Sequence, residues 1–170
     1  MNMKNPIKGL RDRMGINQEE LATEIGVDRS YISQMETGKT PITKNVAEDL
    51  LYTFDDPALS MQLLHQFSDG VTPVVLGGKG LRSDLLALEQ LVVREALELI
   101  QNLSDTCFLK PPEYITNDDR DKAKITLEEL SDVEVAVANL KMKIATDYNL
   151  SLKKVTKGRG LTWKVRGWIS

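Results

Sequence analysis

The sequence predicts an all-α chain of two domains, and three observations carry this. Apolar residues recur at the three- and four-residue spacing of a helix with one buried face through most segments between turn signals. Aromatic residues make up only 5% of the 170 residues against an apolar share of 41%. Leu, Val and Ile must therefore do the packing, which suits helices better than a sandwich of sheets. The segment boundaries also carry helix punctuation: Gly26, Gly38 and Asp69-Gly70 close runs, while Asn17, Asp28 and Asp56-Pro57 open them.

Taken in order, Ile7 to Met14 reads as a short first helix. Pro6 stands at its start, where a missing N–H costs little, and Ile7 and Leu10 face inward. Asn17 to Lys39 reads as two short helices joined by a tight turn. Asn17 caps the first, with Glu20 completing a capping box, and Leu21, Ala22 and Ile25 form its buried stripe. Gly26 ends it, since a left-handed backbone costs glycine nothing. Val27 plugs the turn and Asp28 caps the second helix with its carboxylate. Ile32 and Met35 point inward, which leaves Arg29, Ser30, Tyr31, Ser33 and Gln34 outside as a reading surface. A fourth helix is expected from about Thr43 to Phe54 and a fifth from about Pro57 to Phe67.

The Asn17–Lys39 stretch resembles the helix-turn-helix of the Cro and lambda-repressor class, the XRE-type regulators. The matching residues are Gln18-x-x-Leu21-Ala22, Gly26, Ile32 and the Glu36-x-Gly38 close, and the resemblance covers about residues 5 to 68. It implies a five-helix DNA-binding domain whose second motif helix enters the major groove. It also implies that Arg11 pairs with Glu36, a structural contact that buttresses the reading helix.

In that setting Arg29, Ser30 and Gln34 are expected on base edges, Arg29 suiting guanine and Gln34 adenine by bidentate geometry. Asn17, Gln18, Tyr31, Ser33, Lys39 and Thr40 are expected on phosphates.

The net charge of −3 is unevenly spread. Residues 1–80 carry eight Lys and Arg against eleven Asp and Glu, residues 81–150 eight against fourteen, and residues 151–170 six against none. Global acidity weakens non-specific binding to DNA more than it excludes specific binding. No apolar run approaches the roughly 18 residues of a membrane helix, and the N-terminus lacks an apolar signal core, so a cytoplasmic protein of bacteria or a phage-infected host is expected. A single cysteine, Cys107, and a single histidine, His65, exclude an internal disulfide and a zinc site built from one chain.

Val71 to Gly80, with one proline and three glycines, reads as a linker, docked through Val74, Val75 and Leu76. The expected domains are 1–70 for DNA binding, 71–80 as linker, and 81–170 as a helical oligomerisation or regulatory domain with a basic tail.

Two long helices follow, Leu81 to about Ser104 and Asp118 or Thr126 to about Tyr148, around a loop containing Pro111-Pro112. The second is apolar nearly all round at its centre, so self-association through residues 81–150 is expected.

Glu95 and Glu98 on the first long helix, and Glu129 and Asp132 on the second, are each three residues apart and so share a face. Four converging carboxylates could hold Mg²⁺ and, through it, a nucleotide. The run Arg94-Glu95-Ala96-Leu97-Glu98 with Glu129-Leu130-Ser131-Asp132 resembles MazG-like all-α nucleoside triphosphate pyrophosphohydrolases, with Arg94 standing where that family has a glutamate. The other reading is solvated helix faces or interhelical ion pairs, and on it no cofactor, metal or catalytic residue is expected.

In the tail, Trp163 and Trp168 alternate with Lys and Arg. They either pack on the helical domain or meet a nucleic-acid strand. A short helix around Leu152 to Thr156 with an extended end is expected there. Cys107, next to Phe108-Leu109, is expected to be buried, and His65 to lie at a domain interface.

The function expected is a sequence-specific transcriptional regulator, a repressor of prophage or mobile-element type, that binds a pseudo-palindromic double-stranded operator as a dimer or higher oligomer. The alternatives are a DNA-tethered pyrophosphohydrolase or nucleotide sensor, and an antitoxin-like interaction protein. A regulatory protein or nucleotide is a further candidate partner of the C-terminal domain.

Overall fold

The structure is a computed structural model that describes residues 5–78 and 80–170. The first four residues of the expected DNA-binding domain and Lys79 of the expected linker lie outside the described residues. The chain is all-α, as the sequence predicts. Among the described residues there are eight α-helices and no strand: α1 (Pro6–Met14), α2 (Gln18–Ile25), α3 (Arg29–Glu36), α4 (Lys44–Thr53), α5 (Pro57–Phe67), α6 (Leu85–Asp105), α7 (Asn117–Asp147) and α8 (Leu152–Val165). They form two compact units, Met1–Thr72 with Asn149–Ser170, and Pro73–Tyr148. The tail therefore groups with the helix-turn-helix region, and the described linker residues from Pro73 onward group with the long helices.

In the first unit, α1 to α5 enclose a core of Ile7, Leu10, Leu21, Ala22, Ile25, Ile32, Met35, Ile42, Val46, Ala47, Leu50, Leu59 and Leu63. Each helix contributes the residues its spacing assigns to one face. Two polar contacts close the shell. Arg13 donates from Nε and Nη2 to the Asp56 carboxylate, both at 2.8 Å, while Asp56 also accepts the Leu59 N–H as N-cap of α5. Asn5 caps α1 and donates its side-chain amide to Met35 O at 2.8 Å, tying the start of α1 to the end of α3. His65 Nδ1 donates to Thr72 O at 2.6 Å, closing the turn after α5 within this unit.

In the second unit, α6 and α7 form a hairpin. A Thr116–Asp119 capping box starts α7 at Asn117. The buried Asn139 of α7 receives the linker: Leu76 N–H donates to its Oδ1 at 2.8 Å, and its Nδ2 donates to Val74 O at 2.9 Å. One asparagine thus satisfies a backbone donor and a backbone acceptor of an otherwise irregular segment. Thr126 donates to Asn102 Oδ1 at 2.6 Å, a second polar tie across the hairpin.

Three local expectations are corrected. α8 runs to Val165, well past Thr156, because Gly158 and Gly160 are accommodated inside it; two glycines cost a helix about 1 kcal/mol each without ending it. Cys107 is exposed, since Phe108 and Leu109 beside it also face outward. Asp28 occupies the N-cap of α3 but accepts no backbone hydrogen bond, because its exposed carboxylate remains available to water.

Candidate nucleic-acid interface

α2 and α3 are set by local chemistry. Asn17 Oδ1 accepts the N–H groups of Glu19 and Glu20 at 2.8 and 3.0 Å, and Glu20 Oε2 accepts the Asn17 N–H at 2.7 Å. Gly26 follows with φ 69, a left-handed conformation in which a side chain would be strained, and its turn redirects the chain into α3. Ile32 and Met35 are buried, so the opposite side of α3 faces out.

The back of α3 is held by a network centred on Glu36. Arg11 Nε donates to Glu36 Oε1 at 2.6 Å and Nη2 to Oε2 at 3.1 Å, while Nη1 donates to Ile16 O at 3.0 Å. The pair implied by the resemblance therefore forms, and it forms as a bidentate fork. Gln18 adds a third bond, its Nε2 donating to Glu36 Oε2 at 2.8 Å. Burial alone would push the Glu36 carboxyl up, but the Arg11 fork and the Gln18 amide outweigh it and hold the group below its ordinary value. The network joins α1, α2 and α3 through one carboxylate.

Residues 7–54 match the helix-turn-helix family model. The N-terminal domain is an XRE-type helix-turn-helix. No curated protein and no solved structure matches the chain.

On this helix-turn-helix, Arg29, Ser30, Gln34 and Lys39 are exposed, and neither Arg29 nor Lys39 has an ion-pair partner among the described residues. Gln34 is oriented by its neighbour: Thr40 Oγ1 donates to Gln34 Oε1 at 2.9 Å, which leaves the Gln34 amide nitrogen free to donate. Thr40 thus positions Gln34, a role its sequence position did not suggest. Ser33 is half-buried, and Tyr31 is half-buried with its ring against the core. Gln18 spends one amide N–H on Glu36, and Asn17 spends its carbonyl oxygen on the cap. Each of these two keeps side-chain amide hydrogens for another partner. Asn5, Arg13 and Asp56 were missed as supports of this domain. Asn5 and Asp56 had a local signal as capping residues before Pro6 and Pro57, but their ties to Met35 and Arg13 had none.

Two carboxylates of the second unit meet an arginine. Arg94 Nε donates to Glu95 Oε1 at 3.0 Å and lies 3.8 Å from Glu98 Oε1, and Asp132 is close enough to help hold its proton. The arginine standing in place of a glutamate therefore offsets one of the four carboxylate charges, at Glu95. Glu129 Oε2 is buried with no hydrogen-bond partner. Among the described residues, no three His, Cys, Asp or Glu side chains are placed to hold a metal ion. Of the four residues of the Mg²⁺ reading, Glu95, Glu98, Glu129 and Asp132, the first two share Arg94.

The hairpin also has a cleft of about 570 Å³ between the end of α6, the following loop and the start of α7. Three of its lysines are already committed, Lys110 to Asp119, Lys122 to Asp118 and Lys124 to Glu128. Among the described residues, no helix is long and apolar enough to cross a membrane.

Proposed function

We propose that the chain is a sequence-specific transcriptional regulator that binds a pseudo-palindromic operator as a dimer. The outward face of α3 carries the reading: Arg29, Ser30 and Gln34 stand exposed on a helix locked from behind by Glu36. Arg29 reaches guanine, and Gln34, oriented by Thr40, reaches adenine. Asn17, Gln18, Tyr31, Ser33 and Lys39 lie along the phosphates and fix the register, while Thr40, whose hydroxyl hydrogen is spent on Gln34, orients the reading side chain.

Pairing through the α6–α7 hairpin is supported by its uncovered apolar faces. Leu86, Val93, Leu97 and Ile100 are exposed on α6, and Leu127, Leu130, Val137 and Ile144 on α7. Leu130, Val137 and Ile144 recur every seven residues, the spacing of a helix-pairing seam. Glu134 and Lys141 flank Val137 on the same face, both exposed and neither in an ion pair among the described residues. A second copy running antiparallel about Val137 would set each glutamate near the partner copy's lysine. Resemblance to prophage and mobile-element regulators favours a repressor.

Genomic DNA selection with the full chain tests this. Gln34→Ala is expected to weaken operator binding by about 1–3 kcal/mol and relax preference at one base position of each half-site. A uniform loss on every duplex would remove Gln34 from the reading set.

A further inference from the structure

Residues 1–72 hold a DNA reader on an anionic body. They carry seven Lys and Arg against eleven Asp and Glu, a net charge of −4. Such a domain is repelled by the duplex it has to approach, apart from its local basic positions. The residues that reverse this are remote in sequence but belong to the same compact unit. Asn149–Ser170 carries six cations and no anion, which takes the unit to +2.

The attachment of this segment is specific. Lys153, in the first turn of α8, donates from Nζ to Leu51 O and, at 3.1 Å, to Phe54 O. These carbonyls belong to the C-terminal end of α4, where a helix leaves acceptors unsatisfied and the macrodipole favours a cation. One lysine is thus used to fasten α8 to the helix-turn-helix domain. Ser151 caps α8 by accepting the Lys154 N–H at 3.1 Å. Leu152 and Trp163 are half-buried, while Trp168 lies outside, with the Arg166 guanidinium 5.1 Å from its ring centre.

The remaining lysines face away from any partner. Lys154, Lys157 and Lys164 fall at i, i+3 and i+10, which places them on one face of a helix. All three are exposed, and none forms an ion pair among the described residues. A row of unpaired lysines is costly to hold together unless an anion meets it, and lysine is a point charge suited to phosphates, not to base edges.

We propose that α8 is a second DNA-binding element of the reading unit, in which Lys154, Lys157 and Lys164 bind backbone phosphates of the duplex while Lys153 anchors the helix to α4. This rests on the DNA-binding reading of α3 and adds to it a sequence-independent contact. Such a contact releases counterions, so its signature is the salt dependence of binding.

The test compares the full-length chain with the variant K154Q/K157Q/K164Q by fluorescence anisotropy across a salt series. The probes are a duplex recovered by genomic selection and a random-sequence duplex. Circular dichroism checks that the variant keeps its helices, as three exposed and unpaired side chains should allow. The slope of log affinity against log salt is expected to become shallower by about 0.9 for each phosphate that the variant no longer neutralises, with both duplexes weakened by the same factor. An unchanged slope assigns α8 to charge balance within the chain and overturns the proposal. A loss confined to the selected duplex also overturns it, because that would be base reading. If the unaltered chain binds neither duplex, the DNA-binding reading fails first and takes the proposal with it.

Discussion

The two units bury different kinds of residue. The helix-turn-helix unit encloses a continuous apolar core in which Ile7, Leu10, Leu21, Ile32, Leu50 and Leu59 are fully shielded from solvent. Among the described residues of the hairpin, only Leu88, Ala136 and Ala145 are buried apolar residues, beside the buried polar Glu95, Thr126 and Asn139. Its larger apolar side chains, Leu97, Ile100 and Leu127 among them, face outward. A unit with the first interior is stable by its own packing. A unit with the second exposes apolar surface that isolated domains seldom leave uncovered. The helix-turn-helix unit thus carries its packing inside, whereas the hairpin presents much of its apolar surface outward.

The largest expected effect breaks the reader's side of this comparison. Leu50→Ala removes a fully buried side chain from α4 and should cost about 2–5 kcal/mol, read as a lower urea midpoint for the N-terminal transition. An effect well below that would mean the core is less continuous than its burial indicates.

A smaller effect sharpens the account of the Glu36 network. The Glu36 carboxyl is held below its ordinary value of 4.5, so it contributes stability above that value and loses it as pH falls through the folded value. The midpoint should therefore drop as pH falls below the ordinary value of 4.5, and Glu36→Gln, which has no carboxyl to titrate, should show a smaller drop. Equal acid sensitivity in the two proteins would assign the loss to other carboxylates.

Legibility in the sequence followed the range of the interactions. The helix-turn-helix could be read because its determinants are local: the Asn17 cap and Glu20 lie three residues apart, Gly26 alone sets the turn, and the apolar spacing identifies the buried faces. The Arg11–Glu36 pair came from resemblance, and the structure gives its geometry. Pairs joined across the fold left no such trace. Arg13 and Asp56 are 43 residues apart, and Lys153 reaches carbonyls about a hundred residues before it.

In the tail, α8 passes through Gly158 and Gly160 to Val165, beyond the Thr156 expected as its end. At the carboxylate cluster Arg94 was visible beside Glu95, but its fork onto that residue depends on side-chain geometry that spacing does not determine.

In the proposed division of labour α3 reads each half-site and the hairpin pairs two copies. Val137 is exposed on α7 in the middle of the heptad-spaced face, so Val137→Glu should leave both units folded while placing a charge in the seam. Footprinting of the selected operator with the unaltered chain should protect two half-sites about 34 Å apart, the spacing of paired reading helices. The Val137→Glu chain should run at half the mass in light scattering and lose that paired protection. Two protected half-sites and an undiminished mass in the variant would contradict the account.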